Sequence, residues 1–529
     1  MIPDSISARG GYGSFPCGGN GTCGKCKIEI LSGSLPITPA DRRLLSEQEL
    51  AAGIRLACQA DIPADVTVRP LWNSEEDIVA VGGDSIKGVD DSNGIEAVSD
   101  SNGISGAASL EYGIAVDLGT TTIAVSLVDM TDKAVVDTVT SINHQRRFGA
   151  DVISRINAAC SGRADELRSL VVEDINSCIT QLAELHGLDI SSVKKIAVAG
   201  NTTMEHLLLG YSCETLGRAP FTAVSLDTAK LPACEVLGNL YCKDTVLFVL
   251  PGVSVYVGAD ILAGICECGM DRSEEVLMLV DLGTNGEMAI GNQNGILVTS
   301  TAAGPAFEGG NISCGTGSIP GAVKSVDIDM NTGRVKLGII GDKTPVGLCG
   351  TGVVETVCEL LKARIIDGTG LLEDEYFEDG YELAEDIFFT QKDIRQFQLA
   401  KGAVRAGIEV LISEYSRDVA SEGQASEGQV SERQASEGQA LRIDRLYLAG
   451  GFGTFLNAEK AAGTGIIPKE LVSSVVAAGN TSLRGATAFL TDAGYADRLE
   501  GIKAKCRAVE LAQNDGFNNL FLEKMNFED

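Results

Sequence analysis

Gly113-Ile-Ala-Val-Asp117-Leu-Gly119-Thr120-Thr121-Thr122 and, later in the chain, Val280-Asp281-Leu-Gly283-Thr284-Asn285-Gly286-Glu287 are two versions of one device. In each, an apolar, β-prone run ends on an aspartate and turns through glycine and hydroxyl or amide residues into a second run. Around the first copy the pattern predicts strands over 112–117, 122–128 and 134–139, then a helix over 150–160. Around the second it predicts strands over 276–281, 286–290 and 295–300, with Asn294-Gly295 as the hairpin turn. A strand-turn-strand unit that occurs twice, each time with an acid at the end of its first strand, implies an internally duplicated α/β domain.

The chemistry of such a turn is phosphate binding. Its backbone N–H groups and hydroxyls can hold phosphate oxygens, and the carboxylate can hold Mg2+ through water. One copy alone says little, because Asp-x-Gly is also a common turn. A third motif, Leu446-Tyr-Leu-Ala-Gly450-Gly451-Phe452-Gly453, runs a strand into glycines that permit close approach of a nucleoside. The three together resemble the phosphate-1, phosphate-2 and adenosine motifs of the acetate kinase, sugar kinase, heat-shock chaperone and actin (ASKHA) superfamily. The resemblance covers residues 111–529 and implies a duplicated RNase H-like α/β fold.

The N-terminal 70 residues hold a separate signal. Cys17, Cys23 and Cys26 stand in Pro-Cys-Gly-Gly-Asn-Gly-Thr-Cys-Gly-Lys-Cys, and Cys58 follows in Arg-Leu-Ala-Cys-Gln. Four thiolates, three of them on a glycine-rich loop that can wrap closely around an inorganic core, suit a [2Fe-2S] cluster. A four-cysteine zinc site fits less well, since only Cys23 and Cys26 form a short pair. The module is expected to be a small α+β ferredoxin-like domain over 1–70. It reads as N-terminally shortened, since only sixteen residues precede Cys17 where a hairpin and a helix are usual: either the chain start is truncated or the module is a reduced version. Residues 61–68 read as its closing turn and strand.

Composition bounds the rest. A chain of 529 residues needs about two to four domains. A net charge of −31 disfavours nucleic acid as a partner. The sequence shows no apolar run of membrane-spanning length and no signal peptide at its start, so the expected compartment is the cytoplasm. Fifteen cysteines in a chain of that compartment do not read as disulfides. Residues 71–110, rich in Gly, Ser, Asp and Asn, read as a flexible linker between the module and two halves, 111–270 and 271–529. The Ser-Glu-Gly-Gln repeats of 420–440 read as a disordered insertion. Trp72 is expected at the module boundary. His144, His186 and His206 are expected to hold no metal, Cys266 and Cys268 to be buried thiols, and Cys349 to be structural.

The set of motifs narrows further. The cysteine module, Val-Asp-Leu-Gly-Thr-Thr-Thr, Ala199-Gly-Asn-Thr-Thr-Met204, Asp-Leu-Gly-Thr-Asn-Gly-Glu, Ala303-Gly-Pro-Ala-Phe-Glu-Gly309 and Ala449-Gly-Gly-Phe-Gly resemble those of the ATP-dependent reductive activators of corrinoid proteins. That resemblance implies an enzyme that uses ATP to return Co(II) corrinoid to Co(I) in a methyltransferase system. It implies a corrinoid protein and an electron donor as partners, and it is compatible with a homodimer. It implies that Asp117 and Asp281 hold Mg2+ and that Gly119, Thr120, Thr121, Gly283, Thr284 and Asn285 hold phosphates. Glu287 or Asp260 would position water, and Asn201, Thr202, Gly304, Gly350, Gly450, Gly451 and Gly453 would border the nucleotide. The rival readings are a small-molecule kinase with a redox-sensing ferredoxin domain, for which Asp260 would be the base, and a non-catalytic actin-like scaffold.

Overall fold

The computed structural model describes residues 26–60, 66–71, 111–425, 441–514 and 516–527, apart from residues 239, 242 and 331. Cys17, Cys23, residues 61–65, Trp72, the linker from 72 to 110 and the repeats from 426 to 440 lie outside the described residues.

The N-terminal module is a three-stranded antiparallel sheet of β1 (Lys27–Ser32), β2 (Ile54–Leu56) and β3 (Thr67–Pro70), with β1 in the centre. Between β1 and β2 the chain forms two short helices, Pro39–Leu44 and Glu47–Ala51, each opened by a capping box, Thr38 with Asp41 and Ser46 with Glu49. Buried Asp41 also accepts the Leu56 N–H at 2.8 Å, which ties the first helix to β2. Ile28, Leu35, Leu45, Leu56 and Ala57 close a small core.

The first of the two large sheets begins with a meander of β4 (Tyr112–Leu118), β5 (Thr122–Asp129) and β6 (Ala134–Ile142). Then β7 (Val193–Gly200) lies parallel to β4 and β9 (Val246–Val249) parallel to β7, while β8 (Ala229–Pro232) is an antiparallel edge. The second large sheet repeats this order. Here β10 (Leu277–Leu282), β11 (Gly286–Asn292) and β12 (Gly295–Thr301) form the meander. A small sheet of β13 (Ala322–Ile328), β14 (Val335–Ile339) and β15 (Gly347–Leu348) and a hairpin of β16 (Tyr381–Ala384) and β17 (Ile387–Phe389) follow. β18 (Arg445–Ala449) then lies parallel to β10 and β19 (Val475–Gly479) parallel to β18, with β20 (Cys506–Ala508) beside β12. The duplication implied by the motifs is therefore present in five strands of each sheet, β4, β5, β6, β7 and β9 matching β10, β11, β12, β18 and β19, while the edge strands β8 and β20 differ in place and direction. Parallel strands buried on both faces need continuous apolar runs, and β4, β7 and β10 supply them.

Two helices sit between the sheets. Ala259–Glu267 and Thr481–Thr491 cross where Gly485 meets Ala263 too closely to admit a side chain, and their apolar faces share a core with Ala115, Ala197, Leu279, Ala289 and Val298 from both sheets. The second helix, although it follows β19, packs on β4 and β7. The outer face of the first sheet is covered by Ala164–His186 through Leu167, Val171, Ile175, Ile179 and Leu182.

Two local expectations are corrected. The β11–β12 turn is Gln293-Asn294, one residue earlier than Asn294-Gly295, because Asn292 pairs with Gly295 and its side chain accepts the Asn294 N–H at 3.0 Å. The long Gln391–Ala425 helix runs into the repeats, so residues 420–425 are helical rather than disordered. Alanine, glutamate and glutamine there extend a helix already nucleated and anchored upstream.

Candidate active site

Both predicted phosphate turns stand at the same end of their sheets and face each other. Residues 119–121 join β4 to β5, and residues 283–285 join β10 to β11. The Thr121 and Thr284 hydroxyls lie 2.9 Å apart, and each donates to Oε2 of Glu308 at 2.7 Å. Glu308 ends the short helical turn Pro305–Glu308 inside the 303–309 motif, so one carboxylate joins hairpins 163 residues apart in sequence.

The first hairpin is held from behind. The Asn143 side chain donates to the Gly119 carbonyl at 2.9 Å, and its backbone N–H donates to the Thr121 carbonyl at 2.8 Å. Asn201 donates to the Thr120 hydroxyl at 2.9 Å while capping the Thr202–Leu209 helix by accepting the Met204 N–H. Arg155, wholly buried, donates to the Thr120 carbonyl at 2.6 Å and to the Gly149 carbonyl at 3.0 Å. Burial lowers the Arg155 pKa to about 9, with Asp151 and Glu308 among the charges that oppose the shift.

Carboxylates gather below the hairpins. Asp281 and Glu287 are direct partners across the β10–β11 ladder, and Asp117 stands at the equivalent place on β4. Asn480, the cap of the Thr481–Thr491 helix, donates to Asp117 at 2.7 Å. Asp260 opens the Ala259–Glu267 helix. Burial, reinforced by Asp260, Asp117 and Glu308, pushes Asp281 up to about 8. Burial with Asp117 nearby pushes Asp260 up to about 7. Asp117, Glu287 and Glu308 are raised too, burial being the leading cause for each. Glu205, 6% exposed, is raised well above its ordinary range by burial and by Asp260, and its Oε1 has no hydrogen-bond partner among the described residues.

Hard oxygen donors that repel one another in a buried cleft fit a divalent cation, which would relieve that repulsion. Among the described residues no three such side chains converge tightly enough to ligate a metal directly. The arrangement therefore suits a hydrated Mg2+ held largely through water. The glycines fit a nucleotide. Gly450, at φ +82°, lets β18 turn so tightly over Asp281 that a Cβ there would meet Asp281 Oδ1 at 2.5 Å, whereas a Cβ on Gly451 would meet open space. Gly304 is also at positive φ, and Gly453 packs on the Leu448 backbone. Gly350 has a packing role, its α-carbon lying against the Phe307 carbonyl and the Phe452 ring, with those two rings stacked at 5.4 Å. The Thr202 hydroxyl donates to the Ser254 carbonyl at 2.7 Å.

At the other end of the chain, Cys26 is buried and precedes β1, and its carbonyl accepts the Ala57 N–H at 2.7 Å. The β1–β2 register thus brings residue 58 to the same end of the sheet as Cys26, as a shared cluster requires. The remaining singled-out residues are structural. His206 is buried with both ring nitrogens engaged, by the Thr202 carbonyl and the Val224 N–H. Cys266 is buried and Cys268 half-buried, with burial raising both thiols to about 11 and 12. Cys349 is buried against the Val323 carbonyl. Glu308, Glu205, Arg155, Asn143 and Asn480 went unpredicted as site residues. The only sequence signal for any of them was the quoted 303–309 motif that contains Glu308.

Family models match the chain in order. The 2Fe-2S iron-sulfur cluster binding domain matches residues 7–62, the RACo middle region 112–273, and the C-terminal domain of RACo, the ASKHA domain, 275–421 and 434–529. The corrinoid activation enzyme RamQ of Eubacterium limosum is 29% identical over 444 residues, 79% of this chain and 70% of that protein. The [Co(II) methylated amine-specific corrinoid protein] reductase of Methanosarcina barkeri is 28% identical over 446 residues, 79% of this chain and 77% of that one. The solved structure of a reductive activator for corrinoid, iron-sulfur protein aligns with a TM-score of 0.70 and 26% identity, covering 99% of this chain and 95% of the other. With its three regions matched in sequence and its fold matched over nearly its whole length, the chain belongs to the family of RACo-type reductive activators of corrinoid proteins.

Proposed function

We propose that this protein couples ATP hydrolysis to the one-electron reduction of a Co(II) corrinoid, carried by a partner protein of a methyltransferase system, to Co(I). The observation that carries the reading is the meeting of the two phosphate hairpins above Asp117 and Asp281, in a chain whose N-terminal module brings Cys26 and residue 58 together. The Thr120 hydroxyl and the N–H groups of both hairpins, over residues 119–121 and 283–285, bind the phosphates, and Asp117 and Asp281 orient the hydrated Mg2+. Asp260 and Glu287 complete the acidic wall that favours the cation. A [2Fe-2S] cluster on Cys17, Cys23, Cys26 and Cys58 supplies, when bound, a one-electron centre near about −400 mV if it behaves as plant-type clusters do.

Each Co(I) formed consumes one electron, so an external donor is required. An uphill step of about 120 mV costs about 3 kcal/mol for one electron. Nucleotide binding can offset that amount if the closed cleft favours the state in which cobalt is more easily reduced, since a ligand shifts an equilibrium only by its differential affinity. The phosphoryl chemistry asks of the protein only positioning and charge stabilisation. The test is to reconstitute the protein with iron and sulfide, mix it with a Co(II) corrinoid protein under reductant, and follow the Co(I) absorbance. Co(I) is expected only with Mg-ATP, and the terminal phosphate should be recovered as inorganic phosphate. An intact cluster with no ATP effect at cobalt would refute the reading for that partner, and phosphate found on a small-molecule acceptor would replace it with a kinase.

A further inference from the structure

Glu308 is placed unlike the other acids of the cleft. Glu287 faces Asp281 within one ladder and Asp260 opens a helix, but Glu308 alone among these carboxylates contacts both hairpins. Its Oε2 is fixed by the two threonine hydroxyls. Its Oε1 takes no hydrogen bond from the described residues and faces the second hairpin, 3.8 Å from where a Cβ on Gly283 would stand. An anchored carboxylate with one oxygen turned toward a phosphate loop has the geometry of a base for a bound water.

The hydrogens of this cluster can be counted. Three oxygens, Thr121 Oγ1, Thr284 Oγ1 and Glu308 Oε2, lie at 2.9, 2.7 and 2.7 Å from one another and so form three edges. With Glu308 ionised the two hydroxyls supply two hydrogens, and the Thr121–Thr284 edge is left without one. Both hydroxyl hydrogens are therefore directed at Oε2, and Oε1 is the oxygen left to accept a proton.

We propose that Glu308, through Oε1, is the proton acceptor for the water that attacks the terminal phosphate of ATP. The inference rests on the ATPase reading above. In the step, the water oxygen bonds to the terminal phosphorus as the bond to the bridging oxygen breaks. The bridging oxygen leaves with the electron pair on ADP, and the water proton passes to Glu308. Loss of that proton to solvent after phosphate release resets the carboxylate.

The charged surroundings are consistent with that role. Burial raises Glu308 above the ordinary carboxylate range, the threonine hydroxyls and Arg155 oppose the shift, and Asp281 lies close enough to be raised by Glu308 in turn. On the Gly350–Lys362 and Gln391–Ala425 helices packed against this turn, the charges are engaged elsewhere: Glu355 with Lys460, Arg405 with Glu409, Asp393 with Ser313 and Thr390, and Lys401 with the Asn526 carbonyl.

The experiment compares the full-length, cluster-loaded wild type with E308Q and E308D. ATP turnover is measured against pH, and binding of a non-hydrolysable ATP analogue with Mg2+ by calorimetry. For E308Q turnover should fall at least about 100-fold, the low end for loss of a general base. Analogue affinity should stay within about threefold, and the fall in rate toward acid pH should disappear. E308D should turn over slowly and keep the acid limb. E308Q turnover within threefold of wild type overturns the proposal, and so does loss of analogue binding in step with turnover, which would make Glu308 a structural strut. A wild type that does not hydrolyse ATP removes the proposed function itself, an outcome distinct from either.

Discussion

Replacing Arg155 with methionine isolates how the first phosphate hairpin is supported. The guanidinium is fully buried and donates to the Thr120 and Gly149 carbonyls at 2.6 and 3.0 Å and to Gln145 at 3.3 Å. Methionine fills much of the stem volume and removes every donor. Each buried carbonyl left without a partner costs about 1–3 kcal/mol, which gives a gross loss of about 2–6 kcal/mol for two. Against this, the native state already bears the cost of holding a guanidinium in a low-dielectric interior, which the lowered pKa of about 9 records. Removing that burden returns part of the loss. The net expectation is a destabilisation of about 2–4 kcal/mol in urea unfolding followed by circular dichroism, together with at least tenfold weaker Mg-nucleotide binding, because the Thr120 carbonyl loses its brace. R155K should recover part of the stability, since its ammonium reaches at most some of these acceptors. A variant R155M within about 0.5 kcal/mol of wild type by the same measurement, the scatter of surface substitutions, and with unchanged nucleotide affinity would refute the reasoning.

Three further outcomes follow from the same geometry. Gly450→Ala forces a side chain into left-handed backbone, at about 1–2 kcal/mol, and onto the Asp281 carboxylate, so Mg-dependent nucleotide binding measured by calorimetry should weaken at least about tenfold while the fold persists. Glu205 has a folded pKa above its unfolded one, so it favours folding when protonated and its contribution is lost as pH rises through and beyond the ordinary glutamate range. Glu205→Gln should therefore raise stability at pH 8 by about 1–3 kcal/mol and flatten the decline between pH 5 and 8 in thermal or urea melts; equal slopes in variant and wild type would contradict this. Cys58→Ser should abolish the visible spectrum of the reconstituted cluster yet leave ATP binding within twofold, because the cluster module and the cleft are separate cores.

Much of the fold was written locally. The strands of both meanders fell within a few residues of their expected ends, because an apolar run closed by Asp-x-Gly marks both a buried strand and its turn. The duplication followed from the second copy of that pattern, and the sheet orders confirm it. What the sequence did not disclose depends on distance along the chain. Asn480 reaches Asp117 from 363 residues away, and no local pattern marks a helix cap as a ligand of a remote aspartate. Arg155 reads as an ordinary helical arginine until the fold buries it against Thr120. Glu308 was visible within its motif, but its meaning lies in the approach of two hairpins, each of which supplies one hydroxyl. Gly350 and Thr202, expected beside the nucleotide, also serve the scaffold through Phe307 and Ser254, because small and hydroxylated residues suit tight helix packing as well as ligand contact.

The central claim is that two modules do two separable jobs, one carrying the electron and the other spending ATP on its delivery. It is tested most directly by following Co(II) reduction in a corrinoid protein with wild type, Cys23→Ser and Asp281→Ala side by side, with ATP hydrolysis measured in the same samples. The account predicts Co(I) with Mg-ATP for wild type alone: Cys23→Ser should hydrolyse ATP without forming Co(I), and Asp281→Ala should show the cluster spectrum with neither hydrolysis nor Co(I). ATP-dependent Co(I) formation by either variant would contradict it.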